Sequence, residues 1–242
     1  MHTIKPLTVI EGVHIEKSFM TYLTLFGQKG SIDGYIWYIQ GPKEKIIVDT
    51  GIGAEAFEHM KMISPKSTPK YYSPQEALAR VGLIPKEIDI VILTHLHFDH
   101  VDQGALYTNA RFVIQKDELE YALNPHPSQS LFLDRKSFED LNFEVVVGDR
   151  EIVPGVSVLL TPGHTNGGQS VLVETAQGKA VISGLCTIRE NYDPPEELRR
   201  VMPVLTPAIH KDPIQAYESV VRINEIADVV FPLQEPGLGV AS

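Results

Sequence analysis

Six consecutive residues, His95-Leu96-His97-Phe98-Asp99-His100, bring three imidazoles and a carboxylate into one short stretch. In extended or turning backbone His95 and His97, two positions apart, point to the same side, and Asp99 and His100 follow on the next turn to face a neighbouring point. Neutral imidazoles and carboxylates suit zinc, and they also suit manganese, iron or cobalt, so the residue types mark a metal centre without choosing the metal. A merely polar loop has little structural use for so many ligands at this spacing. A second piece is Thr161-Pro162-Gly163-His164-Thr165, where Pro and Gly set a tight turn that presents His164. Alone, a histidine in such a turn is more often structural or exposed. Beside the first cluster it reads as a further metal ligand.

Both pieces follow apolar runs that predict strands. Residues 88–93 are almost continuously apolar, as in a strand covered by helices on both faces, and Val158-Leu159-Leu160 precedes the second turn. Chemistry carried on loops at strand ends is held by a rigid scaffold. Upstream, the chain reads as short strands with turns, including a hairpin from Tyr35-Ile36-Trp37-Tyr38-Ile39 into Ile46-Ile47-Val48, ending in Asp49-Thr50-Gly51. Residues 54–72 show no clear periodicity, and Ser64-Pro65 and Thr68-Pro69 break any long helix, leaving a loop or a lid. Ser73-Pro74-Gln75-Glu76 starts a helix with a capping serine, proline in the first turn and an answering glutamate, ending near Val81. Further strands are expected over 111–114, 144–147, 156–160, 170–174, 180–183 and 229–231. Helices are expected over 116–123 and, capped by Asp212, up to about residue 227. Residues 1–242 thus predict one domain, a layered α/β sandwich.

Composition narrows the partners. A net charge of −10 without a run of Lys or Arg beyond Arg199-Arg200 argues against nucleic acid and favours a small-molecule substrate. No apolar run approaches the ~20 residues of a membrane span, and the N-terminal residues lack the apolar core of a signal peptide. The single cysteine, Cys186, has no intrachain partner, as a reducing compartment would permit, so a cytoplasmic location is expected. A homodimer is left open.

Thr94-His95-Leu96-His97-Phe98-Asp99-His100 together with Thr161-Pro162-Gly163-His164-Thr165 resembles the metallo-β-lactamase superfamily, and the order of elements resembles its N-acyl homoserine lactonase branch over nearly the whole chain. The resemblance implies a four-layer αββα sandwich. It implies that His95, His97 and His164 hold a first metal, that Asp99 and His100 begin a second site, and that Asp49-Thr50-Gly51 is a structural turn. Zinc, as one or two ions, is the cofactor it implies, with iron or manganese as alternatives.

The departures from that pattern lie in the second site. The family's bridging aspartate is expected after a strand and glycine, where Val181-Ile182-Ser183-Gly184 is followed by Leu185 and Cys186. Ile188 stands where the lactonase branch carries a tyrosine, and Gln234, in Pro232-Leu233-Gln234-Glu235-Pro236, replaces the last histidine. Cys186, His210 and Glu235 are the candidates to fill the gaps, with a small buried side chain the bland reading for Cys186.

The expected reaction is hydrolysis of a small carbonyl compound, a lactone or cyclic amide, by a metal-activated water, with Asp99 as the catalytic proton carrier. Two other classes are kept: an iron-dependent redox enzyme, and a non-catalytic ligand-binding member of the same fold. His2, His14, His59 and His126 fit no ligand spacing, although the Pro-flanked His126 could border the pocket. Glu196-Glu197 with Arg199-Arg200 reads as a solvated helical face. Phe19, Tyr22, Phe26, Tyr35 and Trp37 read as core first and pocket mouth second.

Overall fold

A computed structural model of the chain describes residues 1–41, 43–60 and 67–239, with the side chains of residues 59 and 60 excepted. Strand-forming residues dominate both halves, and they assemble into two sheets. The larger contains β1 (Thr3–Glu16), β2 (Lys29–Gln40), β3 (Ile46–Val48), β4 (Lys70–Tyr71), β5 (Ile90–Ile92), β6 (Arg111–Gln115) and β7 (Phe143–Val146), in the order β4-β1-β2-β3-β5-β6-β7. The smaller contains β8 (Arg150–Val153), β9 (Val156–Leu160), β10 (Gln169–Thr175), β11 (Gly178–Ile182) and β12 (Val229–Phe231), in the order β12-β11-β10-β9-β8.

Period-two alternation sorts the side chains into layers. Ile46 and Val48 of β3 and Val171 and Val173 of β10 meet in a core between the sheets, with Trp37 at its centre. Ile47, Val91 and Phe112 face the other way, against Phe57, Ala77, Leu78 and Ala122. These four lie on α1 (Ala54–Met60), α2 (Pro74–Ala79) and α4 (Lys116–Leu123), while α3 (Phe98–Val101) adds Val101 to the same core. On the outer face of the smaller sheet, Leu159 and Val181 pack against Ala216, Val220 and Ile223 of α7 (Pro213–Ile226) and Tyr192 of α5 (Arg189–Tyr192). The last helix, α6 (Glu196–Arg199), carries the expected solvated face, with Arg200 pairing Glu196 one turn away. Helices therefore cover both outer faces, which makes the architecture αββα.

The expected elements from β5 to β12 appear within two residues of their expected ends. Three differences concern the N-terminal half. The strands there are long, not short: β1 runs for 14 residues and β2 for 12. Register shifts between Thr8 and Ile10 and between Ile10 and Val13 blur the alternation of β1. Pro6 sits in β1 because β4 pairs only with Ile10 and Glu11, so no ladder bond is demanded of the missing N–H. Helix α1 occupies the start of the segment read as aperiodic and β4 falls near its end; residues 61–66, with the Ser64-Pro65 break, lie outside the described residues, as does the side chain of His59. The capping box at Ser73 forms as expected, although α2 stops at Ala79 and the chain turns through Gly82 in the left-handed region, φ +72°.

Candidate metal site

The turn after β3 anchors the loop that carries most of the candidate ligands. Asp49 is fully buried and adopts φ 58°, a left-handed conformation uncommon outside glycine that an aspartate tolerates better than most residues. Its carboxylate accepts the Thr94 backbone N–H at 2.8 Å, the Thr94 hydroxyl at 2.9–3.0 Å and His100 Nδ1–H at 2.7 Å. Thr50 adds bonds from its N–H and hydroxyl to the His100 carbonyl, at 2.8 and 3.0 Å. The residues after β5 are thereby fixed on a turn some fifty positions earlier in the chain.

A second anchor joins the two ligand loops to each other. Glu118, in the first turn of α4 and only 1% exposed, accepts the Leu96 N–H at 3.1 Å on one oxygen and the Gly167 N–H at 2.9 Å on the other. Burial pushes the Glu118 carboxyl up, and these N–H bonds pull it partly back. Gly167 has to be glycine, since a Cβ there would lie 2.3 Å from the Glu118 nitrogen. Gln169 of β10 completes the floor, donating to the Leu93 carbonyl at 2.8 Å and so tying the smaller sheet to the larger.

Held this way, His95, His97 and His164 converge, with ligand atoms from all three within 4.8 Å of one another and all three buried. The Thr94 hydroxyl spends its hydrogen on Asp49, so it accepts from His95 Nδ1–H, at 3.0 Å. His164 Nδ1–H donates to the Ile209 carbonyl at 2.7 Å. Both rings therefore carry their proton on Nδ1 and a lone pair on Nε2, and those Nε2 atoms face each other at 3.2 Å. Two lone pairs at that distance repel unless a cation lies between or beside them. Burial keeps these imidazoles neutral: His97 is pushed down to about 3, His164 to about 4, and His95 well below its ordinary value, each helped by neighbouring histidines. Oriented, unprotonated and mutually facing, this donor set fits a metal ion.

Asp99 and His100 behave differently. His100 is bracketed by Asp49 on Nδ1 and by Asp99 Oδ2 at 3.3 Å on Nε2. Burial alone would lower it, but the two carboxylates outweigh burial and push it up to about 10. Burial likewise opposes ionisation of Asp99, and the His100 charge and hydrogen bond outweigh it, holding that carboxyl well below the usual range.

Beside the triad opens a cavity of about 1080 Å³, lined by His95, His97, Asp99, His100 and His164 together with apolar residues such as Val13, Phe19, Met20, Ile32 and Phe132, the last packed against the His97 ring. Cys186 and Gln234 line this cavity, whereas Leu185 turns into the core beneath α7 and Ile188 is buried against Met20. Glu235 does not enter; its carboxylate takes the Arg189 N–H at 2.7 Å and lies 3.5 Å from Arg189 Nε. His210 also stays out, with Nδ1 on the Pro207 carbonyl at 2.7 Å and its ring edge-on to Tyr22. His126 is away from the cavity as well, capping a short turn through the Ser128 N–H. Of the early aromatics, Tyr35 and Trp37 are core, while Phe19 is 60% exposed at the cavity wall.

The model of the family described as metallo-beta-lactamase superfamily matches residues 31–224. The chain belongs to the metallo-beta-lactamase superfamily. Within it, the chain is 31% identical over 202 residues to the N-acyl homoserine lactonase AiiA of Bacillus thuringiensis subsp. kurstaki, covering 80% of this chain and 75% of that relative. Solved structures agree on the fold. An N-acyl homoserine lactone hydrolase holding the product N-hexanoyl-L-homoserine at its catalytic metal centre superposes with a TM-score of 0.75 at 24% identity, over 97% of this chain and 92% of that one. AidC, a dizinc quorum-quenching lactonase in complex with the same type of product, gives 0.70 at 16% identity, over 98% and 92%. The similarity to the lactonase relative places this chain in the lactonase-like branch of the superfamily.

Two residues important to the site have roles that the sequence does not announce. Glu118 is one, and its only sequence signal is a carboxylate four positions before the buried Ala122, on the apolar stripe of a helix. Asp49 is the other, legible as a turn but not as the partner of His100.

Proposed function

We propose that the protein is a metal-dependent hydrolase that opens a lactone ring, using zinc held by His95, His97 and His164. The observation that carries this reading is the pair of unprotonated Nε2 atoms facing each other at 3.2 Å in a cavity that apolar side chains also line. The lactonase relatives supply the substrate class: a polar ring to react and an apolar chain to bind.

A divalent cation held by His95, His97 and His164 would supply Lewis acidity and lower the pKa of a water towards about 7, leaving Asp99 to orient that water and carry its proton. Asp99 is suited to that work by position: it lies at the cavity wall with its side chain 32% exposed, and its ionised form is fixed by His100. The oxygen of the attacking water would end on the acyl carbon as the ring C–O bond breaks, and Asp99 would pass the proton to the departing alkoxide. His100, backed by Asp49, keeps Asp99 in one orientation throughout. Phe19, Met20 and Phe132 give the apolar portion of the substrate a surface that excludes water. A single buried cysteine suits a reducing location such as the cytoplasm.

The test is His164→Ala. Loss of both tightly held zinc and N-hexanoyl homoserine lactone hydrolysis is expected, measured by elemental analysis and by chromatography of the ring-opened acid. Wild-type metal content with wild-type turnover would remove the assignment.

A further inference from the structure

A dizinc neighbour raises the question of what a second ion would bind here. Beyond the triad, the cavity wall offers Asp99, His100, Cys186 and Gln234. His100 has both nitrogens engaged by carboxylates. Cys186 does not complete a set, because the only group of three His, Cys, Asp or Glu side chains with ligand atoms within 4.8 Å of each other, among the described residues, is His95, His97 and His164. The turn after β11 contributes no carboxylate either. Gly184 has no room for a side chain, since a Cβ would lie 1.9 Å from the Gln169 carbonyl oxygen, and Leu185 is in the core.

Gln234 is held more firmly than a spectator would be. Its backbone N–H donates to the Thr187 carbonyl at 3.0 Å and its carbonyl accepts the Asp33 N–H at 3.3 Å. Its side-chain oxygen accepts the Thr187 N–H at 2.8 Å. A backbone N–H can be met only by an acceptor, so the orientation of the amide is settled: Oε1 is on Thr187 and Nε2 is the free end. The residue is 7% exposed and what it exposes lies on the cavity that holds the triad. A fixed amide N–H₂ at a cavity wall is a hydrogen-bond donor for a carbonyl or oxyanion.

We propose that this chain holds one metal ion, at the three histidines, and that the Gln234 side-chain amide is a catalytic residue, donating to the substrate oxygen from the place in the chain where the two-metal pattern carries its last histidine. A neutral donor replaces a charge, and the second ion becomes unnecessary. This rests on the hydrolase reading for its substrate but not for its metal count.

The experiment has two arms. Metal-free protein is saturated with zinc alone, gel-filtered and examined by native mass spectrometry; about one zinc per chain is expected, and two retained ions overturn the proposal whatever the turnover. Gln234→Leu then removes the donor. The zinc count is expected to stay the same while kcat for N-hexanoyl homoserine lactone falls roughly 10²-fold with little change in KM. Unchanged kcat, or loss of the zinc, overturns the role of the amide. Since the variant also strips the Thr187 N–H of its acceptor, Gln234→Glu serves as the reference: it keeps an acceptor oxygen for that N–H but has no N–H to donate, so its kcat should fall as in the Leu variant. Wild-type kcat in Gln234→Glu would mark the loss in the Leu variant as structural and sink the proposal. If wild type opens no lactone at all, the zinc count still decides the metal half, and calorimetric binding of N-hexanoyl homoserine decides the other. Weaker binding to Gln234→Leu by about tenfold is then expected, and equal binding refutes the donor.

Discussion

Replacing Glu118 probes whether the metal site is held from behind. In Glu118→Ala, the N–H groups of Leu96 and Gly167 lose their acceptors in a region closed to water. At about 1–3 kcal/mol for each buried donor left unsatisfied, the pair costs about 2–6 kcal/mol, a large fraction of a usual folding stability. Glu118→Gln keeps the shape and one acceptor oxygen but turns an NH₂ group towards the other N–H, so about half that loss is expected. Leu96 lies between two of the proposed ligands, and Gly167 follows the third by three positions. Loosening both loops should therefore weaken zinc binding by about 10–100-fold, the usual consequence of losing a residue that orients ligands. Urea unfolding of the metal-free chain measures the first effect, and competition against a chromophoric chelator measures the second. A Glu118→Gln protein with wild-type unfolding midpoint and wild-type zinc affinity would refute this reasoning. Lost stability with unchanged affinity would show that the carboxylate serves packing alone.

Further expectations concern pH and the cavity wall. His100 is raised from 6.5 to about 10 by Asp99 and Asp49, so its contribution is complete below pH 6.5 and is lost as pH rises through about 10. The melting temperature of the metal-free chain should accordingly fall between pH 7 and pH 10, and fall less in Asp49→Asn; equal slopes would exclude the His100–Asp49 pair as the source. Phe19→Ser should raise KM for long-chain homoserine lactones by roughly tenfold, as expected for losing part of a large apolar contact, while short-chain substrates change little. A uniform change across chain lengths would place the acyl chain elsewhere.

What the sequence reveals of this fold follows from locality. β5, β6, β9 and β12 are legible because an apolar run bounded by turn residues has few other uses, and Ser73 and Asp212 announce helix starts through bonds that span only two or three residues. The proposed ligands are legible for the same reason, being gathered in one loop and one turn. β1 is obscured by its bulges, and α1 lacks a local signal. Glu118 and Gln234 are harder still, because their roles depend on backbone groups 22 to 49 positions away and 47 positions away. A carboxylate that holds two loops together looks, in one dimension, like any surface glutamate of a first helical turn. The aromatic residues divide in a way no pattern announces: Trp37 fills the space between the sheets, whereas Phe19, with equal apolar character, stands at the cavity wall.

The facing Nε2 atoms of His95 and His164 come from positions 69 apart, one beyond a strand of each sheet. An ion placed there acts on the chain as a reversible crosslink that closes a long loop and clasps the two sheets together. Its binding energy becomes available only when both halves have docked, which puts metal capture at the end of folding. Zinc supply would then set how much of the newly made chain becomes resistant to proteolysis, since free metal stabilises only the assembled form. A residue pair chosen for chemistry would in this way also keep the record of whether the molecule has been completed.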